Sequence, residues 1–297
     1  MTHRRAVLVM LAVTLLWSTA GVVTRQLEAA RSFEVTFWRS LFNAAGLVVL
    51  LSWLRGPQVL LQRLRSGGRS MWVSGLCWCV MFTAFMVAMT LTTVANVLVV
   101  MATAPLFTAL LSRFALHHRL PARTWAAIVV AGAGIAWMYG ADISAAGGQH
   151  VLGTLVALGV PLAAALNWTL IQHDARGESP SDMLPALLVG AVLSALITFP
   201  LAWPLQASGA DVAWLAALGV GQLAIPCVMA VTAARTLAAP EVALLALLEV
   251  LFGVVWAWLG AGEAPSLAVM GGGTLVLGAL ATNELVAMVS RSPPSQR

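Results

Sequence analysis

Two ionisable side chains stand inside long apolar runs of this sequence: Glu249, within Leu248-Glu249-Val250-Leu251-Phe252, and Arg39, within Phe37-Trp38-Arg39. A charge at the centre of a membrane helix costs about 2.5–3.5 kcal/mol on translocon scales, so each needs a reason to be there. Glu249 could bind a substrate ammonium or carry a proton, or it could be a neutral acid that ties helices together. Arg39 could clamp a carboxylate or pair with Glu249 in one conformation; near a span end it could equally snorkel to the outer interface. Asn43, Asn96, Asn167, Gln222 and Asn283 lie in similar surroundings. Their amides donate and accept, which suits a zwitterionic solute and suits helix bonding as well. Asn167 stands out beside Trp168, and Gln222 lies one turn before Pro226.

Apolar residues complete the candidate set. Trp17, Trp78 and Trp168 sit deep in their runs, and with Met81, Phe82, Met86 and Met101 they could line a cavity. Ligand pockets are mostly apolar with a few placed polar groups, and Met adapts its shape, so the set favours an organic solute over an ion. Trp53, Trp72, Trp125, Trp203 and Trp214 fall near run ends and read as interface anchors. Pro105, Pro161 and Pro226 lack an N–H, so each frees a carbonyl and offers a hinge for gating. Gly132, Gly134, Gly271, Gly272, Gly273 and Gly278 are small residues for close helix packing.

Other chemistries find little support. His3, His117, His118, His150 and His173 lie in loops or at run ends, and neither Gly-x-Ser-x-Gly nor His-Glu-x-x-His occurs, which argues against an integral-membrane enzyme. Cys77, Cys79 and Cys227 form no disulfide framework, and Cys77 and Cys79, with one residue between them, point about 200° apart on a helix, away from a shared metal. No metal and no cofactor is expected. A channel would need a filter motif or a charged pore stripe, and neither is present.

The elements that must position these residues follow from composition. Of 297 residues, 60% are apolar and only 9% charged, against about 25% charged in soluble domains, with a mean hydropathy of +0.91. The 16 basic residues are all Arg, scattered between apolar runs with no face to track phosphates, so the net charge of +5 does not indicate nucleic acid. A spanning helix needs about 20 apolar residues. Ten spans are expected: 6–24, 33–54, 71–91, 93–114, 123–141, 151–172, 181–203, 212–233, 240–261 and 266–288. The runs are continuous rather than alternating, so the fold class is all-α, not β-barrel. With the N-terminus inside, 13 of the 16 arginines fall on the cytoplasmic side, which places both termini there. The first span is long enough to remain a membrane helix rather than a secretion signal.

The two halves match weakly. Leu16-Trp17-Ser18-Thr19 is echoed by Asn167-Trp168-Thr169, and at an offset of 145 Leu106-Phe107 meets Leu251-Phe252, with His118 against Glu263. Two five-span repeats, 1–141 and 142–297, are implied. An odd span number inverts one repeat relative to the other, the plan of many alternating-access carriers. In these motifs the chain resembles the EamA-type drug/metabolite transporters: Leu-Trp-Ser-Thr in span one, Arg39 in span two, Ala104-Pro105-Leu106-Phe107 in span four, and Leu248-Glu249 followed by Gly260-Ala261-Gly262-Glu263 in the second half. Val250 stands where that family usually has Pro, and His118 where it often has Glu. The opening motif followed by Arg25 is also similar to the YddG-type amino-acid exporters. The resemblance implies export of small metabolites, amino acids including aromatic and other hydrophobic ones foremost, across a bacterial inner membrane; a drug, a nucleotide sugar or another metabolite is the alternative. Partners are then a small-molecule substrate and the lipid bilayer; a monomer suffices for this reading, and the oligomeric state stays open. The expected binding residues are Trp17, Arg39, Trp78, Phe82, Met101, Asn167, Trp168, Gln222 and Glu249.

Overall fold

The structure is a computed structural model, and it describes residues 1–20, 23, 27–30, 32–92, 94–115, 120–139, 148–177, 181–261 and 267–291. Among these residues there is no strand. The helices are α1 (His3–Trp17), α2 (Ser32–Arg55), α3 (Pro57–Ser66), α4 (Arg69–Leu91), α5 (Val94–Met101), α6 (Ala104–Ala115), α7 (Ala122–Tyr139), α8 (Gly148–Ala175), α9 (Pro185–Ala202), α10 (Gly209–Ala217), a π-helical stretch (Leu218–Ala224), α11 (Ile225–Ala234), α12 (Ala239–Ala246), α13 (Leu248–Ala261) and α14 (Leu267–Arg291). Among the described residues, five segments are long and apolar enough to cross a membrane: Phe33–Arg55, Arg69–Ala88, Val151–Ala175, Pro185–Ala202 and the continuous Gly209–Ala234. The His117-His118 pair and Glu263 lie outside the described residues.

The fourth and ninth expected spans are not continuous helices. Span four stops at Met101 and restarts at Ala104 as α6. Pro105 has no N–H to return to the Met101 carbonyl, and Thr103 closes the gap with shorter-range bonds, its N–H (3.1 Å) and its hydroxyl (2.6 Å) both donating to the Val100 carbonyl. Pro105 therefore occupies the second residue of α6, where a missing N–H costs nothing, rather than a helix interior. Span nine breaks at Leu247, whose N–H reaches the Leu244 carbonyl (3.1 Å) while the Val250 N–H reaches Leu247 (3.1 Å). Val250 instead of Pro does not prevent this break. Moved by 145 residues, α5 falls on 239–246, the bounds of α12, and α6 falls on 249–260, within α13. Pro161 is inside α8, as read from the sequence, whereas Pro226 is the second residue of α11, directly after the π-helical stretch.

Packing runs backbone to backbone where small residues permit. A Cβ on Gly190 of α9 would lie 2.4 Å from the Trp78 Cβ and 2.9 Å from the Gly75 carbonyl of α4. One on Gly134 of α7 would meet the Gly272 carbonyl of α14 at 2.7 Å. A hydroxyl chain crosses three helices, with Ser194 of α9 within 2.9 Å of both Ser40 of α2 and Thr83 of α4.

Buried acids tie the helix ends. Glu34, fully buried at the start of α2, accepts from the backbone N–H of Gln206 (2.9 Å) and Ala207 (2.8 Å) and from the Trp38 indole (3.3 Å). Asp211 of α10 accepts in turn from the N–H of Glu28 (2.9 Å) and Ala29 (3.1 Å), and with Ser208 it forms a capping box. Each of two adjacent chain reversals is thus held by an acid from the helix that follows the other. At the opposite end His3 of α1 bonds Glu241 of α12, and the Ala239 N–H donates to Gln172 of α8 (3.0 Å).

Candidate functional site

Between these ties lies a cavity of about 160 Å³. One water needs about 10–15 Å³ of such space, so the cavity holds on the order of ten waters, the scale of a small organic solute. Its walls come from α1, α2, α4, α5, α6, α8, the π-helical stretch, α11, α12 and α13. Both helix breaks open onto it: Met101 and Ala104 flank the first, and Ala246, Leu247 and Glu249 flank the second.

An aromatic wall forms one side. Trp78 stacks on Phe82 (centroids 5.5 Å apart, planes at 29°) and takes the edge of Trp168 (5.5 Å, 87°), so α4 and α8 present three rings together. Offset and edge-to-face pairs of this kind hold each other in fixed orientation. Trp78, Met81, Phe82 and Phe85 recur at helical spacing, which turns one stripe of α4 to the cavity.

Polar groups share the cavity with the rings. Arg39 is buried, its Nη1 sits 3.2 Å from the Met86 sulfur, and its Nε has no hydrogen-bond partner among the described residues. Glu249, the second residue of α13, faces the same space and interacts electrostatically with Arg39. Gln222 is placed by the π-helical stretch; its amide nitrogen donates to the Trp17 carbonyl (3.0 Å), and its Oε1 has no partner among the described residues. The Trp78 indole nitrogen is likewise buried without one. Buried polar atoms are almost always bonded, so these three point to a guest that completes them.

Of the residues read from the sequence, Trp17, Arg39, Trp78, Phe82, Met101, Trp168, Gln222 and Glu249 line one cavity, and Pro161 lines it too. Asn167 does not. It is fully buried in the α4–α8 contact, where its Oδ1 accepts from the Ser74 hydroxyl (2.6 Å). Asn167 and Trp168 are adjacent and point about 100° apart, and here Trp168 takes the cavity side while Asn167 turns to Ser74. Pro105 and Pro226 are buried behind the wall. Asn283 accepts from Thr124 (3.2 Å) in the α7–α14 contact. Met86 acts through Arg39 rather than on the cavity. Phe85, Leu98 and Cys227 join the lining without having been singled out; the helical stripe on α4 signals Phe85, and nothing local signals the others.

Comparison with known proteins agrees with this architecture. Residues 4–140 match the profile of the EamA-like transporter family, which identifies the first half of the chain as an EamA-like transporter domain of the drug/metabolite transporter superfamily. No curated protein sequence matches the chain. A solved protein crystal structure shares the fold at a TM-score of 0.81, with 22% identity, over 98% of this chain and 100% of the other. The match of residues 4–140 to a transporter family and the long apolar helices together point to a multi-pass membrane protein, and a small-molecule substrate goes with that family.

Proposed function

We propose that the chain is an alternating-access carrier that exports small organic metabolites, amino acids foremost, through the central cavity. Ten spans in two inverted halves, 1–141 and 142–297, give the frame, with both termini in the cytoplasm of a bacterial cell and the bundle in its inner membrane. The observation that carries this reading is the opening of two broken helices, offset by 145 residues, onto one cavity. Discontinuous helices at the meeting of inverted repeats present free backbone ends to a substrate near the midplane, and rocking of one half against the other exposes that site to either side. Arg39 fits a carboxylate, Glu249 an ammonium, and the Trp78–Phe82–Trp168 wall an apolar side chain. Pro161, at the middle of α8 and against the cavity, is the hinge best placed to gate it, with the break beside Pro105 and the π-helical stretch before Pro226 as its counterparts.

The test is uptake into liposomes containing only the purified protein, using labelled amino acids. Saturable uptake that shows counterflow supports the carrier; linear flux without counterflow indicates a pore and refutes it. Saturable uptake confined to solutes lacking an amino or carboxylate group keeps the carrier and removes the amino-acid assignment.

A further inference from the structure

Between the expected spans 33–54 and 71–91 the structure folds a separate helix, α3, ten residues long. At 100° per residue, Leu60, Leu64, Pro57 and Leu61 form an apolar arc of about 100°, and Arg63 and Arg65 stand about 60° and about 40° beyond its two edges. Only one side of that arc meets protein. Leu60 is 7% exposed, whereas Leu61 is 49% exposed. Trp53, 81% exposed near the end of α2, and Trp72, 49% exposed near the start of α4, bracket α3 on both sides. Tryptophans so placed mark the membrane–water interface, which sets α3 at headgroup depth.

The charge at this level is one-sided. Arg55 pairs with Asp182 (3.5 Å), while among the described residues Arg63, Arg65 and Arg69 form no ion pair. Arg69 opens α4, three residues past the end of α3. Three exposed guanidiniums around a half-covered apolar arc match a lipid surface: acyl chains against Leu61, phosphates against the arginines.

We propose that α3 is an interfacial helix whose Arg63 and Arg65, with Arg69, recruit anionic phospholipid to this end of the bundle. The arginines act as a set, because each draws on the negative potential of the same headgroup layer.

A bimane fluorophore on L61C reports the lipid next to α3, and the same fluorophore on L196C, exposed in the middle of α9, reports bulk lipid. Cys77, Cys79 and Cys227 are buried and leave the introduced thiols as the reactive ones. In bilayers of phosphatidylcholine and phosphatidylglycerol, brominated phosphatidylglycerol quenches the α3 probe at about one third of the mole fraction that brominated phosphatidylcholine requires, and the α9 probe shows no such preference. The preference disappears in R63Q/R65Q/R69Q, survives in R63K/R65K/R69K, and falls as salt is raised on the otherwise unsubstituted chain. Equal quenching by both lipids at L61C, or a preference that outlasts the Gln substitutions, overturns the proposal. If the Gln variant does not fold, the salt series decides, and a preference unaffected by salt overturns it.

Discussion

Replacing Glu34 by Ala removes the carboxylate that closes one end of the bundle, and the loss can be worked from its bonds. Two backbone donors, Gln206 and Ala207, reach it at 2.8–3.0 Å, and the Trp38 indole reaches it at 3.3 Å. A hydrogen bond to a charged group is worth about 1.5–3 kcal/mol, and buried donors left without a partner add to the loss. Two such bonds give about 3–6 kcal/mol; the long indole bond adds little. Glu34→Gln keeps one acceptor oxygen and sets an amide donor against donors, for a cost of about 1–2 kcal/mol. One kcal/mol moves Tm by about 2 °C at the large-chain end of the usual range, so Glu34→Ala lowers Tm by roughly 6–12 °C and Glu34→Gln by roughly 2–4 °C. Buried Cys77, Cys79 and Cys227 supply the assay, since a thiol-reactive dye labels them only as the detergent-solubilised protein unfolds. Arg65→Gln, on the exposed side of α3, is the control and stays within about 0.5 kcal/mol. A Glu34→Ala protein that melts with this control refutes the clasp as a structural tie.

Gly190→Ala places a methyl group 2.4 Å from the Trp78 Cβ, so α4 and α9 separate and Tm falls sharply in the same assay, whereas Gly221→Ala, with open space at its Cβ, leaves it unchanged. Trp168→Ala raises the half-saturating substrate concentration about fivefold or more, because a ring contact is worth about 1 kcal/mol beyond its buried area; an unchanged value takes Trp168 out of the substrate contact. Asn167→Ala does the reverse, lowering Tm by the loss of its bond to Ser74 while half-saturation stays as it was. Glu249→Gln weakens transport of amino acids and removes any dependence on an imposed pH gradient if Glu249 carries the coupling proton; unchanged transport with an unchanged pH profile rejects both roles.

What the sequence discloses about the site depends on how costly each residue is to place. Glu249, Arg39 and Gln222 are readable because polar groups in long apolar runs need a partner or a guest, and the cavity gathers all three. Trp78, Phe82 and Trp168 are readable from their depth. Asn167 is equally polar and equally deep, but a phase difference of one residue turns it to Ser74 instead, and phase at that resolution comes only from packing. Cys227 passes for a small hydrophobe in any sequence. The break in span four is announced by Pro105, while the break in span nine has no proline and emerges from its neighbours. Glu34 and Asp211 look like solvated acids near span ends; their burial depends on chain reversals that arrive from more than 170 residues away. The arginines around α3 serve as topology markers in the sequence, and their arrangement around an apolar arc is visible only once the segment is helical.

The π-helical stretch from Leu218 to Ala224 separates two obligations of a single span. Upstream, α10 answers to Asp211 and the chain reversals it grips, and to α2. Downstream, α11 answers to α1. A π turn carries one residue more than an α turn, so it slips the phase of everything beyond it by about 100° without lengthening the span appreciably. The two ends are therefore free to be tuned separately, like two keys cut on one blank. Deleting a single residue there forces both ends into one phase and swings Gln222 away from either the Trp17 carbonyl or the cavity.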